Sequence, residues 1–167
     1  MKRNLFLLAV FTAATMMLVA HPHLQKSIDV KIGEVEAKLS FYTSPANPEH
    51  VKNAEVGKFS TGYARLSISA NLVVGGQTIP AGDYTVGAIR NGDKDWTMVL
   101  LPGKLGYEDT PDVSKVIKLK SSFSSSEGTA GHVDYNISPG HGAMTGQAVL
   151  VWRYGTLYLA GALTDAQ

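Results

Sequence analysis

The chain has 167 residues, with 15 Lys plus Arg, 14 Asp plus Glu and a formal charge of +1. A near-neutral chain offers no electrostatic attraction for nucleic acid or for an anionic membrane surface. It has no cysteine, so disulfides, thiol nucleophiles, Cys-based metal sites and a lipid-modified Cys are all excluded.

The first twenty residues stand apart. Lys2 and Arg3 precede an uncharged, mostly apolar run from Leu5 to Ala20, which ends Leu18-Val19-Ala20. This charged, apolar, small-residue order is that of a secretory signal peptide, residues 1–20. The run of 16 residues is short for a helix crossing ~30 Å of hydrocarbon, which takes ~20 residues. Cleavage after Ala20 is therefore expected, without a stable membrane span, giving a secreted or periplasmic protein. Leu18 stands where a smaller residue is preferred before the cut. The mature chain, 21–167, would carry 13 basic against 14 acidic residues, a net charge of −1. It has the length of one domain with a sizeable core.

Period-two alternation follows. Ile28, Val30 and Ile32 form one strand, and Val35, Ala37, Leu39 and Phe41 the next, with Gly33 at a hairpin between them. Residues 44–58 read as a polar connection with room for one helical turn near Glu49–Asn53. Strands resume at Ala64–Ile68 and Leu72–Val74. Gly75-Gly76 marks a turn, Gln77–Ile79 a short strand, and Pro80-Ala81-Gly82 its end. Tyr84–Ala88 and Trp96–Leu100 flank the polar turn Asn91–Asp95, and Val113–Leu119 is a further run. The serine-rich stretch Ser121–Gly131 reads as a loop. Val133–Ile137 alternates, Ser138–Gly146 is a second loop, and Gln147–Arg153 with Thr156–Ala162 suggests a closing hairpin about Tyr154-Gly155. About nine or ten strands with regular turn signals, and no amphipathic helix, predict one antiparallel β-sandwich or jelly-roll-like barrel.

Within this pattern, Asn71–Gly103 reads NLVVGGQTIPAGDYTVGAIRNGDKDWTMVLLPG. It resembles a group of secreted bacterial domains known as domain-of-unknown-function family 2911, through Ile79-Pro80-Ala81-Gly82, Tyr84 and Trp96. The hairpin Ile28–Tyr42 and the closing strands with Trp152 also fall where that family has theirs. One segment departs. Family members carry a Trp-Arg-Thr-Gly-Ala-Asn-Glu-like stretch where this chain has Phe59-Ser60-Thr61-Gly62-Tyr63-Ala64-Arg65, and only Thr61 and Gly62 match. The resemblance implies an exported β fold and no particular activity.

Candidate chemistry is sparse. After cleavage His21 would be the N-terminus, and a terminal amine with its own imidazole is the start of a copper-binding brace. His132 or His141 could supply the further ligand. A frayed, solvated tail is the plainer account of His21 and His23. A terminal chelate through His23 fails, because Pro22 has no backbone N–H to deprotonate. Asn91–Asp95 resembles the opening of a calcium loop, but Trp96 and Pro102 stand where an EF-hand needs Gly and Glu. Gly106–Asp112 is acidic and reads as solvated surface. Serines near His132 and Asp134 lack a nucleophile elbow, and Glu34 and Glu36 share a solvent-facing strand edge. No catalytic set emerges, so an enzyme is not expected and no cofactor is required. Tyr63, Trp96, Tyr107, Trp152 and Tyr154 could form a ligand platform. Core packing accounts for the two tryptophans, which leaves Tyr107 and Tyr154, in turns, as the candidate ligand-binding pair. The expected function is therefore binding of a small ligand or protein partner, with copper binding as the rival.

Overall fold

The computed structural model describes residues 23–165. It is an all-β sandwich of eleven strands in two antiparallel sheets. The first sheet runs β1 (Gln25–Ile32), β2 (Val35–Tyr42), β4 (Arg65–Ile68), β7 (Gly82–Gly92), β8 (Asp95–Pro102) and β9 (Ile117–Lys118), with the short β3 (Phe59–Ser60) also paired to β7. The second runs β10 (Ser121–Pro139), β11 (Gln147–Asp165), β5 (Leu72–Val74) and β6 (Gln77–Ile79).

Alternation in the sequence becomes the two faces of each strand. On β2, Val35, Ala37, Leu39 and Phe41 are buried while Glu36 and Lys38 face water. Their register with β1 places Ile32 opposite Val35, so Gly33-Glu34 is the two-residue hairpin that Gly33 signalled. One hydrophobic core joins the inner faces, from Leu39, Leu66, Val86 and Leu100 on one sheet to Tyr135, Leu150, Leu159 and Leu163 on the other.

The chain changes sheets twice along its edges. The Leu119 amide still bonds the Met98 carbonyl of β8, whereas the Lys120 carbonyl already accepts from Ala162 of β11. At the opposite edge, Ser44–Ala46 leaves β2 and pairs with β10, through Val133 N–H to Ser44 O (2.8 Å) and Ala46 N–H to Gly131 O (3.1 Å). These links satisfy edge amides that would otherwise be free.

Two expectations are corrected here. Ser121–Gly131 is strand rather than loop, because it lies inside the long β10. Its register against β11 shifts between Ser125 and Asp134, from Ser125 opposite Leu157 to Asp134 opposite Arg153. The small residues there absorb the extra length as bulges. Likewise Tyr154-Gly155 is not a hairpin. Gln147–Asp165 is one strand, and its hairpin partner is β10. Gly155 adopts φ 59°, and across it the positions that join the central core change from even (Ala148, Leu150, Trp152) to odd (Leu159, Leu163). A left-handed residue inside a strand marks a bulge as readily as a turn. Smaller differences follow the same logic. Val113–Lys115 is a 3-10 turn ahead of the short β9, and Gly142–Met144 is another.

The predicted helical turn is present as α1 (Pro48–Lys52). The Asn47 side chain accepts the Glu49 amide at 3.0 Å, and Pro48 occupies the first turn, where its missing N–H costs nothing.

Candidate functional site

A cavity of about 190 Å3 lies between the two sheets, beside α1. The first sheet lines it with Ser60, Ala88 and Trp96, along with Thr61, which follows β3. The second sheet contributes Phe123, Trp152, Tyr154, Leu157 and Leu159. His50, Val51 and Ala54, from α1 and the residues after it, complete the lining, and His50 is exposed at the rim.

Both sides of α1 are tethered. Tyr154 Oη accepts the Asn47 amide at 3.3 Å and hydrogen-bonds His50 Nδ1 at 3.1 Å. The Arg90 guanidinium donates to the Ala54 carbonyl at 2.8 Å and to Asp93 at 2.9 Å, while its Nε bonds the Gly92 carbonyl. A five-residue helix has little stability of its own, so these contacts hold it in place.

An aromatic column supports the inner wall. Phe41 lies 5.3 Å from Tyr135, Tyr135 stacks on Trp152 at 5.4 Å and 12°, and Trp152 meets Tyr154 edge-on at 6.2 Å. Tyr135 is fully buried, and burial holds its phenol far above the ordinary tyrosine range, opposed only by the hydrogen bond from the Gly62 amide to its oxygen at 3.1 Å. Gly62 belongs to the Phe59–Arg65 segment. Thr61 Oγ1 donates to the Val86 carbonyl at 2.6 Å and accepts the Tyr63 amide, placing Gly62 against Tyr135 and Thr61 on the cavity.

Trp152 is the distinctive group. It is 8% exposed, yet its indole Nε1 is the buried side-chain polar atom without a hydrogen-bond partner among the described residues. An indole N–H is a donor only, and a buried donor left unbonded costs about 1–3 kcal/mol.

The histidine candidates are not assembled. His21 lies outside the described residues. His132 sits within β10, exposed and bridged to Pro45. His141 is exposed beyond the end of β10, at the start of the Gly142–Met144 turn. The seven strand steps from His132 to Pro139 span roughly 23 Å at ~3.3 Å each, so His132 and His141 lie apart and are separate candidates for the further ligand. His23 bonds the Thr43 carbonyl through Nδ1. Among the described residues, no group of three or more His, Asp or Glu could hold a metal ion.

The tyrosine pair divides. Tyr107 is 86% exposed and packs against Tyr63 on the surface, ring centroids 5.8 Å apart, away from the cavity lining. Tyr154 is half-buried within β11, not in an exposed turn, and lines the cavity. Sequence reasoning missed His50, Ser60, Thr61 and the exposure of both tryptophans to one shared space. The Asn47-Pro48 cap was a legible sign of α1, but nothing local showed what α1 would cover.

No family model matches the chain, and neither does any curated protein or solved structure.

Proposed function

We propose that this chain is an exported, non-enzymatic β-sandwich that binds a small ligand in the cavity beside α1. The observation that carries this reading is the mostly apolar cavity itself, walled by Trp96, Phe123, Trp152 and Leu159 with Ser60, Thr61, His50 and Tyr154 as its few polar groups. A concave apolar site with few, well-placed polar groups is the usual form of a small-molecule pocket. The resemblance to the secreted domains of family 2911 supports export and a β fold, and leaves the ligand open.

The test uses residues 21–167 and a library of neutral single-ring fragments. Both tryptophans of the chain line the cavity, so intrinsic fluorescence reports its occupation. A ligand that binds the native state must also raise the melting temperature. Ala88→Leu fills the cavity from β7. Hits should shift fluorescence and melting in the parent and do neither in Ala88→Leu, which itself melts no lower than the parent. Hits that persist unchanged in a folded Ala88→Leu protein would place binding elsewhere and refute the reading.

A further inference from the structure

We infer that the segment Asn47–Ala54 is the door of the cavity, hinged at Arg90 and latched by Tyr154, so that Tyr154 sets how fast a ligand enters and leaves; this rests on the cavity being a ligand site. Three observations lead there.

The first is placement. Of the described residues lining the cavity, His50 is the exposed one, so the cavity meets solvent at α1. Val51 and Ala54, from the same segment, are half-buried beside it. Displacing this one short segment opens the cavity without parting the two sheets.

The second is how little holds the segment down. No residue of α1 is buried, so apolar burial contributes little to its docking. Main-chain bonds anchor the chain on either side of it, from Ala46 N–H to Gly131 O at 3.1 Å and from Gly57 N–H to Arg90 O at 2.8 Å. Between these anchors, and among the described residues, hydrogen bonds from the rest of the fold to Asn47–Ala54 come from two side chains, Tyr154 and Arg90.

The third is their unequal grip. The half-buried Arg90 guanidinium donates to the Ala54 carbonyl at 2.8 Å and the Lys52 carbonyl at 3.4 Å. It is fixed in turn by Asp93 at 2.9 Å and the Gly92 carbonyl at 3.1 Å. Tyr154 Oη is neutral. It accepts the Asn47 amide at 3.3 Å and shares a hydrogen bond with His50 Nδ1 at 3.1 Å. Charge-assisted bonds are roughly twice as strong as neutral ones. The Tyr154 end therefore parts first, and the Arg90 end stays as the hinge. Tyr154 also lines the cavity and bonds the exposed His50, which puts the latch at the mouth it closes.

Toluene is the probe. An apolar cavity of about 150 Å3 holds benzene, so about 190 Å3 admits one ring with a methyl group. Its association and dissociation rates with residues 21–167 are read from 1H–15N line shapes. Tyr154→Phe keeps the ring and removes the latch oxygen. Both rates should rise roughly fivefold, the effect of losing one net hydrogen bond. Kd should stay nearly the same, because a gate scales entry and exit alike. His50→Ala, at an exposed position that does not endanger folding, removes one of the two latch bonds and should raise both rates roughly twofold. Tyr84→Phe is the control. It removes the bond from Tyr84 Oη to the Pro80 carbonyl, outside the cavity lining, and should leave both rates unchanged.

Unchanged rates in Tyr154→Phe and His50→Ala, with toluene still bound, would overturn the door and leave the cavity as a binding site. A faster dissociation with unchanged association, and Kd weakened in step, would also overturn it and make Tyr154 a ligand contact. An equal rise in Tyr84→Phe would trace the effect to general loosening and overturn it too. Where toluene does not bind at millimolar concentration, the tightest fragment hit takes its place. If no neutral fragment binds, the ligand site and its door fall together.

Discussion

Gly62 offers the sharpest test of how the divergent segment is built into the fold. A Cβ placed on it would lie 2.7 Å from Tyr135 Oη and 3.3 Å from Val133 Cγ1. Ordinary contact begins near 3.4 Å, so Gly62→Ala demands a shift of about 0.7 Å. The backbone itself does not object, since Gly62 is not among the residues with positive φ. Tyr135 cannot move easily, being 1% exposed and packed between Phe41 and Trp152. Overpacking costs about 1–3 kcal/mol, and loosening the Gly62–Tyr135 hydrogen bond adds about 1 kcal/mol. Gly62→Ala should therefore destabilise by about 2–4 kcal/mol, equivalent to roughly 10 °C in melting temperature for a domain of this size. Tyr135→Phe should cost about 1–2 kcal/mol, through the amide it leaves unbonded. The two changes share one space, because the missing hydroxyl makes room for the new methyl. The double variant should then be about 1–2 kcal/mol more stable than the sum of the single effects predicts. Urea unfolding followed by tryptophan fluorescence measures all four proteins of this cycle. Additive effects within ~0.5 kcal/mol, or a neutral Gly62→Ala, would show that the segment does not rest on Tyr135.

The buried phenol also predicts an alkaline limit. An unfolded tyrosine ionises near pH 10. Native Tyr135 keeps its proton well above that, held by burial, so above pH 10 the unfolded state binds fewer protons than the native one. The stabilisation is complete below pH 10 and falls by about 1.4 kcal/mol per pH unit above it, which urea midpoints from pH 9 to 11.5 would register. Tyr135→Phe should flatten that slope, leaving the contribution of Tyr84, whose phenol burial also raises. Tyr154→Phe removes the oxygen that accepts the Asn47 amide and shares a hydrogen bond with His50, so α1 should open more often; limited trypsin digestion should cut faster after Lys52 at a cost of about 1 kcal/mol in stability. Protein exported from a bacterial host should begin at His21 by N-terminal sequencing, and added copper should leave its melting unchanged. Stoichiometric copper that is lost in His21→Ala would instead favour the histidine brace.

The strands with one wet face were legible because one-sided burial imposes period two, as on β2. The long hairpin was not. Ser121–Gly131 has the composition of a loop, and only its pairing with β11 and with Ser44–Ala46 makes it strand. Gly155 carries the same local signal whether it ends a strand or bulges within one. The cavity was illegible for a different reason. It joins His50, Trp96 and Trp152, which are far apart in sequence. Packing was the right default for two tryptophans in strands, since both are largely buried. What the pattern could not convey is that Trp152 packs one ring face on Tyr135 while its N–H finds no partner.

That unmade bond bears on stability. The Trp152 N–H is stripped of water by the fold and receives no acceptor in return, so its desolvation weighs on the folded state by about 1–3 kcal/mol. The Tyr135 stack and the Tyr154 edge contact fix the indole orientation all the same. In the ligand-free state, Trp152→Phe relieves that cost while losing part of the ring's packing. Its stability should accordingly fall by less than the roughly 3–5 kcal/mol that truncating a large buried aromatic to Ala takes from a core.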